Sequence, residues 1–185
     1  MISDDVKQTI YIWTKWAATD GAKRYDIALF KIWIQFEKFL GDLFITYATG
    51  NASESGYTPQ LKLRFIDEEH FNIFMREGNK KYIEYLNKIE KLSPYIFEKN
   101  PFDVILEDID ISPAFKQMKA IRNYIAHESG ESKRKLIDMC FNSSEQYFLE
   151  PNDYLLSIEK TTKKSYYTYY IDIIKTIIEL ITYPN

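Results

Sequence analysis

The chain has 185 residues, of which 45% are hydrophobic and 16% aromatic, and this composition excludes a disordered protein. Its formal net charge of −3 excludes an overall basic field, so nucleic acid would have to bind through a local patch. The single cysteine, Cys140, cannot form an intrachain disulfide, and the sequence shows neither a signal peptide nor a stretch apolar enough to cross a membrane. We therefore expect one cytoplasmic domain, residues 1–185, with no membrane partner.

The first part of the chain predicts a long helical hairpin followed by a loop. Apolar residues recur at helical spacing over residues 4–19 and 22–48, and Asp20-Gly21 between them is a turn signal. Residues 50–60 are rich in turn-forming residues and predict a loop, whose role the sequence leaves open. Apolar and basic residues alternate over residues 61–65, which we interpret as an extended connection.

Two further helices are predicted before residue 100. Asp67 is expected to cap the first, which carries His70 as a surface residue and ends at Gly78-Asn79. The second covers residues 80–92, and Pro94 is expected to break or kink it.

A short helix predicted over residues 102–108 lies among carboxylates, which invites comparison with a metal site. The carboxylates are Asp103, Glu107, Asp108 and Asp110. No histidine accompanies them, so a solvated acidic face is favoured, and we expect neither a metal nor a cofactor. Cys140 also lacks a nearby histidine and is expected to be a small buried hydrophobe rather than a nucleophile.

Helices continue to the end of the chain. Ser112-Pro113 is expected to begin one helix and Gly130 to be its C-cap, with the next helix starting at about Ser132. Its inward residues are expected to be Leu136, Ile137, Met139, Cys140 and Phe141. Residues 142–153 are predicted to be mostly loop, and residues 166–183 an amphipathic helix. The predicted fold is an all-α, single-domain helical bundle with a long N-terminal hairpin and a C-terminal amphipathic helix.

The helix that follows Ser112-Pro113 carries the most informative surface of the sequence. At 100° per residue, its apolar face consists of Ala114, Met118, Ile121 and Ile125. The opposite face carries Lys116, Lys119, Asn123 and His127, and Arg122 lies at the border. Histidine transfers protons near neutral pH, and lysine and arginine bind anions. Spacing alone favours the simpler interpretation, an amphipathic helix with a solvated polar face.

Glu37 breaks the pattern of the long second helix. It lies among Phe30, Trp33 and Phe44, on the side away from the polar stripe. An ionised carboxylate on an apolar face is unfavourable unless a cation or hydrogen-bond donors meet it. We expect Glu37 to pair with Arg122 and to hold its guanidinium in place. The alternative is a hydrogen bond to a tyrosine, a backbone group or water.

The hexapeptide Arg-Asn-Tyr-Ile-Ala-His, residues 122–127, resembles the Arg-x4–6-His motif of the HEPN superfamily, in which the arginine is often followed by asparagine. The resemblance implies a small all-α domain, and many such domains are metal-independent endoribonucleases of prokaryotic defence and toxin systems. These nucleases commonly dimerise around one shared cleft, and in several of them an acidic residue from another helix supports the motif. Glu37 would have that supporting role here.

The residues match the chemistry of RNA cleavage by attack of a 2′-hydroxyl on the adjacent phosphate. His127 is expected to transfer protons, and Arg122 and Asn123 to hold the scissile phosphate. Four basic residues are expected to bind the RNA backbone: Lys116, Lys119, Lys133 and Arg134. Arg122 and His127 lie about 140° apart around an ideal helix, so one helix does not easily direct both at one phosphate. A two-fold pair of chains would bring two motifs together.

Two readings without catalysis stay open. The first is a HEPN-like module of a defence or toxin–antitoxin system that binds RNA or protein without cutting it. The second is an unrelated helical bundle in which residues 122–127 match by chance. The favoured hypothesis is a homodimeric endoribonuclease that acts on RNA, with an antitoxin or another defence protein as a further candidate partner. The sequence does not name the RNA target or the trigger.

Overall fold

The computed structural model describes residues 2–19, 23–76 and 84–184. Within these ranges the regular structure is helical, which confirms the predicted all-α class. The helices are α1 (Ile2–Thr19), α2 (Tyr25–Ala48), α3 (Glu68–Met75), α4 (Tyr85–Ile96), α5 (Asp103–Leu106), α6 (Ile111–His127), α7 (Gly130–Cys140), α8 (Pro151–Leu156) and α9 (Tyr166–Thr182). A 3₁₀ turn, Glu145–Tyr147, lies between α7 and α8. The predicted helix end at Gly78-Asn79 lies outside the described residues.

The core is built around α2, which packs against α1 as the predicted hairpin and also contacts α4, α6, α8 and α9. Its buried face interlocks with aromatic rings from other segments, since Phe44 makes edge contacts with Phe71, Phe97 and Phe102. On α9, Ile174, Ile177 and other apolar residues at helical spacing are buried, as predicted for an amphipathic helix. Each apolar side chain that is fully buried in this core stabilises the fold by roughly 1.5–3 kcal/mol. These contacts fix α2 at the centre of the core.

Two helix boundaries differ from prediction at the start of α6 and within α4. Ser112 is not the N-cap of α6. The carboxylate of Asp108 accepts hydrogen bonds from the backbone N–H groups of Asp110 and Ile111 at 3.0 and 2.9 Å, so the helix begins at Ile111. Ser112 lies inside the helix and donates to the Leu106 carbonyl. Pro94 does not break α4 but lies in its last turn, two residues before Ile96, although proline there cannot donate to the carbonyl four residues earlier.

The segment predicted as loop over residues 142–153 also differs. It contains the 3₁₀ turn, and Pro151 begins α8 at the first helical position. The fixed φ of proline suits that position, and its missing N–H would have had no helical partner there. Met139 is also exposed rather than inward, whereas Leu136, Ile137 and Phe141 are buried as expected.

The corner between α6 and α7 is built differently from the prediction. Glu128, not Gly130, adopts the left-handed conformation after α6, with φ 45° and ψ 29°, and its N–H donates to the Tyr124 carbonyl. Ser129 caps α7 through a reciprocal pair of hydrogen bonds with Ser132. Gly130 is the first residue of α7. The chain therefore reverses immediately after His127, which brings the start of α7 close to the end of α6.

From the observed corner we expect substitutions at Glu128 and Gly130 to change stability in the opposite direction from that expected if Gly130 were the C-cap. Glu128→Gly should raise the free energy of unfolding by up to about 1 kcal/mol, because a left-handed residue with a Cβ is strained. Gly130→Ala should raise it by about 0.4–1 kcal/mol, since Gly130 is helical and an added Cβ meets no atom within 4 Å. Urea unfolding followed by circular dichroism measures both. A loss of about 1 kcal/mol in Gly130→Ala would contradict the observed corner.

Candidate functional site

A cleft of about 820 Å³, here called the α6 cleft, lies between α2, the start of α4, α6 and α7. Six of the eight residues predicted for the site line it: Glu37, Lys116, Lys119, Arg122, Asn123 and His127. The remaining two, Lys133 and Arg134, are not among the lining residues. The cleft also includes Trp33 of α2 and Lys135 of α7. One chain therefore brings most of the predicted residues to one concave surface.

The burial of α6 explains why its polar face turns toward this cleft. Ala114, Phe115, Met118 and Ile121 are buried in the core, as their spacing predicts. The residues on the opposite side of the helix must then face outward, toward α4 and α7. Lys116 and His127 are exposed, and Arg122 and Asn123 are half-buried.

The guanidinium of Arg122 is held by two neighbours. Its Nη2 donates to Glu37 Oε2 at 3.1 Å, and its Nη1 donates to Asn123 Oδ1 at 2.9 Å. The side chains of Arg122 and Glu37 are 28% and 29% exposed, so their pairing is only partly screened by water. The predicted pairing of Glu37 with Arg122 is present, and it joins α2 to α6.

The side chain of Asn123 binds Arg122 rather than His127. The sequence allowed its amide to orient the imidazole, yet its side-chain oxygen accepts from the Arg122 guanidinium. A guanidinium offers five N–H donors, so pairing with Glu37 and Asn123 leaves further donors for a ligand. The amide therefore helps to set the plane of the guanidinium.

Arg122 and His127 line the same cleft of one chain, although they lie far apart around the helix. The reversal at Glu128 folds α7 back beside the end of α6, and the cleft extends around that end. A second chain is therefore not required to bring these two side chains to one cleft.

The basic residues of the site fall into two groups. Lys119 bridges to α4, since its Nζ lies 3.3 Å from Asn87 Oδ1 and 3.6 Å from Glu90 Oε2. Lys135 lines the cleft and pairs with Glu131 at 2.6 Å. Lys133 instead lies over the Phe148 ring, with its Nζ 4.4 Å from the ring centroid. α7 thus directs Lys135, rather than Lys133, into the cleft.

The back of α6 is fixed by an uncharged hydrogen-bond network. Tyr170 donates to Gln117 Oε1 at 3.0 Å, and its hydroxyl also lies 3.0 Å from that of Tyr154. Gln117 in turn donates to the Met139 carbonyl at 3.2 Å. Burial raises the pKa of Tyr170 well above its ordinary value, so the phenol stays neutral. These bonds connect α6 to α7, α8 and α9.

The other titratable candidates lie outside the α6 cleft. Burial raises the pKa of the Cys140 thiol to about 12, so this residue is not a thiolate nucleophile at neutral pH. His70 is exposed near the start of α3, as predicted, and its Nδ1 accepts from the Ile66 N–H at 3.4 Å. The carboxylates of Asp103 and Asp108 bind nearby amide groups. Among the described residues, no group of three or more histidine, cysteine or acidic side chains is placed to hold a metal.

Sequence reasoning missed the part of the cleft contributed by other helices. Trp33 precedes Glu37 by one turn of α2, and this spacing was the available signal for its place in the cleft. Asn87 and Leu86 line the cleft from α4, and no sequence pattern predicts which segment packs against α6. These positions follow from the packing of α4 on α2.

No protein-family model matches the chain, and comparisons with curated proteins and with solved structures find no match. The resemblance of residues 122–127 to the HEPN motif therefore stays a prediction based on those residues. Over the part of the chain that the structure describes, no helix is both long and apolar enough to cross a membrane.

Glu37→Gln should lower the free energy of unfolding by about 1–2 kcal/mol, because the charged hydrogen bond to Arg122 becomes a neutral one. Asp172→Asn is the matched control. Its carboxylate pairs with Lys164, but these side chains are 43% and 52% exposed, so a change below about 0.5 kcal/mol is expected. Urea unfolding of both variants makes the comparison. Equal stability of Glu37→Gln and wild type would show that the pair does not secure α6 to α2.

Proposed function

We propose that the protein is a metal-independent endoribonuclease of the HEPN type and that the α6 cleft is its active site. The observation that carries the proposal is that a fixed guanidinium, an exposed imidazole and three lysines line one cleft. These groups meet the three requirements of RNA transesterification, which are phosphate binding, charge stabilisation and proton transfer.

The reaction forms a bond between the 2′-oxygen and phosphorus and breaks the bond from phosphorus to the 5′-oxygen. A base takes the 2′-hydroxyl proton, and an acid gives a proton to the departing 5′-oxygen. The products are a 2′,3′-cyclic phosphate and a 5′-hydroxyl. The imidazole of His127 performs proton transfer in this scheme. Arg122 stabilises the negative charge that builds up on the phosphate oxygens, and its pairing with Glu37 orients it beforehand.

A pair of chains supplies what one chain lacks in this scheme. The transfer uses a base on one side of phosphorus and an acid on the other, whereas each α6 cleft contains one histidine, His127. Two-fold pairing of chains through the α6 faces would place a second imidazole opposite the first. This arrangement is the composite dimer cleft that the family resemblance implies.

Lys116 and Lys119 hold the RNA backbone on either side of the reacting phosphate. Lys116 is exposed in the cleft, and Lys119 is bridged to Glu90 until a phosphate displaces that carboxylate. Binding through such contacts weakens as salt rises, because bound counterions are released from the RNA. Lys133 and Arg134 extend the basic surface beyond the cleft. The resemblance further suggests a toxin or antiviral effector with a restraining protein partner.

The first test compares wild type, His127→Ala and His70→Ala on total cellular RNA in the presence of EDTA. Wild type should cleave the RNA, and His127→Ala should lose at least about 100-fold of the rate because proton transfer is removed. His70→Ala is the matched control, since the only other histidine is exposed and lies outside the cleft, and it should cleave at the wild-type rate. Equal cleavage by wild type and His127→Ala would remove His127 from the mechanism.

If folded wild type does not cleave RNA, the non-catalytic binding module becomes the better hypothesis. RNA binding that depends on Arg122 and Lys116 would then identify the ligand, and its absence would direct the search to a protein partner.

A second test mixes wild type with His127→Ala in equal amounts after subunit exchange. If the composite site needs an imidazole from each chain, mixed dimers are inactive and the mixture should keep about a quarter of wild-type activity. If each chain acts alone, the mixture should keep about a half. Cleavage rates of wild type, of His127→Ala and of the mixture are compared. Activity of about a half, with mixed dimers verified by sedimentation, would overturn the composite site.

A further inference from the structure

Two buried nitrogen atoms without hydrogen-bond partners belong to residues that line the α6 cleft. Among the described residues, three buried side-chain polar atoms have no partner: Trp33 Nε1, Arg122 Nε and Thr182 Oγ1. The first two belong to residues that line the cleft. Trp33 is only 1% exposed, and it precedes Glu37, the partner of Arg122, by one turn of α2. The clustering of unpaired donors in one cleft calls for an explanation.

Both atoms carry a hydrogen and neither can accept a hydrogen bond, so the missing partner must be an acceptor. A buried donor that stays unpaired is unfavourable, and the indole N–H of a buried tryptophan usually finds a partner. The indole ring is also restrained, with centroids 5.7 Å from Phe36 and 5.2 Å from Phe115. These contacts limit the freedom of the ring to turn toward another acceptor.

The side chains that line the cleft carry a formal excess of one positive charge, which favours an anionic acceptor. Four of them are cationic and three are carboxylates: Lys116, Lys119, Arg122 and Lys135 against Glu37, Glu84 and Glu131. Ser129, the N-cap residue of α7, also lines the cleft. The positive end of the α7 dipole therefore borders the cleft, where it favours an anion. A phosphate group combines negative charge with several acceptor oxygens, and it can accept from two N–H groups at once.

We infer that Trp33 is a phosphate-binding residue and that its Nε1–H acts with the Nε–H of Arg122 to bind a phosphate group in the α6 cleft. The inference rests on the proposed function for the role of Arg122, and it adds a donor from α2 that the hexapeptide motif does not contain. Both donors have almost no solvent-accessible surface, so the phosphate reaches them only when neighbouring side chains of the cleft move aside, and neither donor then has to release a bound water. The phosphate is a monoester or a phosphodiester.

The test follows the indole N–H signals of the ¹⁵N-labelled full chain by NMR. The chain has three tryptophans, so the Trp33 signal is assigned as the one that Trp33→Phe removes. Inorganic phosphate and a 2′-deoxy dinucleoside monophosphate, which cannot be cleaved by 2′-hydroxyl attack, are titrated separately. The Trp33 signal should move downfield as its N–H gains an acceptor, while the Trp13 and Trp16 signals of α1 stay in place.

Affinity gives the second measurement. Trp33→Phe should weaken binding of the tighter of the two probes by about tenfold or more, the loss expected for one hydrogen bond to a charged acceptor. Trp13→Phe is the matched control and should bind as wild type does. If only inorganic phosphate moves the signal, the site holds a terminal phosphate. If the dinucleotide moves it, the site holds a phosphodiester.

Three outcomes overturn the inference. One is binding of either probe without movement of the Trp33 signal. Another is the absence of binding of both probes. The third is a Trp33 signal that moves in Glu37→Gln but not with either probe. That result would identify the Glu37 carboxylate as the acceptor of the Trp33 N–H. If Trp33→Phe does not fold, the Trp33 signal is assigned as the one that remains in both Trp13→Phe and Trp16→Phe, so the wild-type titration can still be read. Movement of the signal with phosphate, together with failure to cleave RNA, would retain the phosphate site and reject the nuclease.

Discussion

The ion pair between Glu37 and Arg122 is the constraint on which the candidate site depends. It joins α2, the centre of the core, to α6, which carries the motif. The carboxylate and the guanidinium are each about 70% covered and lose much of their hydration. Either charge would therefore be unfavourable there without the other. The pair therefore specifies how α6 sits on α2. It also restrains the guanidinium of Arg122, which lines the cleft.

The core and the corner after α6 determine different parts of the candidate site. The apolar face of α6, with Met118 and Ile121 buried, determines which side of the helix is available for a ligand. The left-handed Glu128 then determines where the cleft ends, because it turns the chain and places α7 beside His127. The site thus consists of a rigid helix face and a tight turn, and neither requires a long mobile loop.

The parts of the site that could be predicted were those governed by periodicity and by unbalanced charge. The lining face of α6 follows from 3.6 residues per turn, and the partner of Glu37 follows from the unfavourable placement of a carboxylate on an apolar face. The α6–α7 corner could not be predicted from residue preference, because glycine is the usual left-handed residue and Gly130 was available two positions after Glu128. The capping pair of Ser129 and Ser132 determined the outcome instead.

The bridging of Lys119 to α4 and the direction of Lys133 depend on how separate helices pack, which no local pattern encodes.

The hydrogen bonds behind α6 have a different consequence. Gln117, Tyr154 and Tyr170 are neutral and the two tyrosines are buried, so added salt has little effect on the scaffold that orients α6. The front of the helix is charged and open. Ionic strength should therefore change how strongly the cleft attracts a polyanion without changing the shape it presents, which separates the strength of recognition from its geometry.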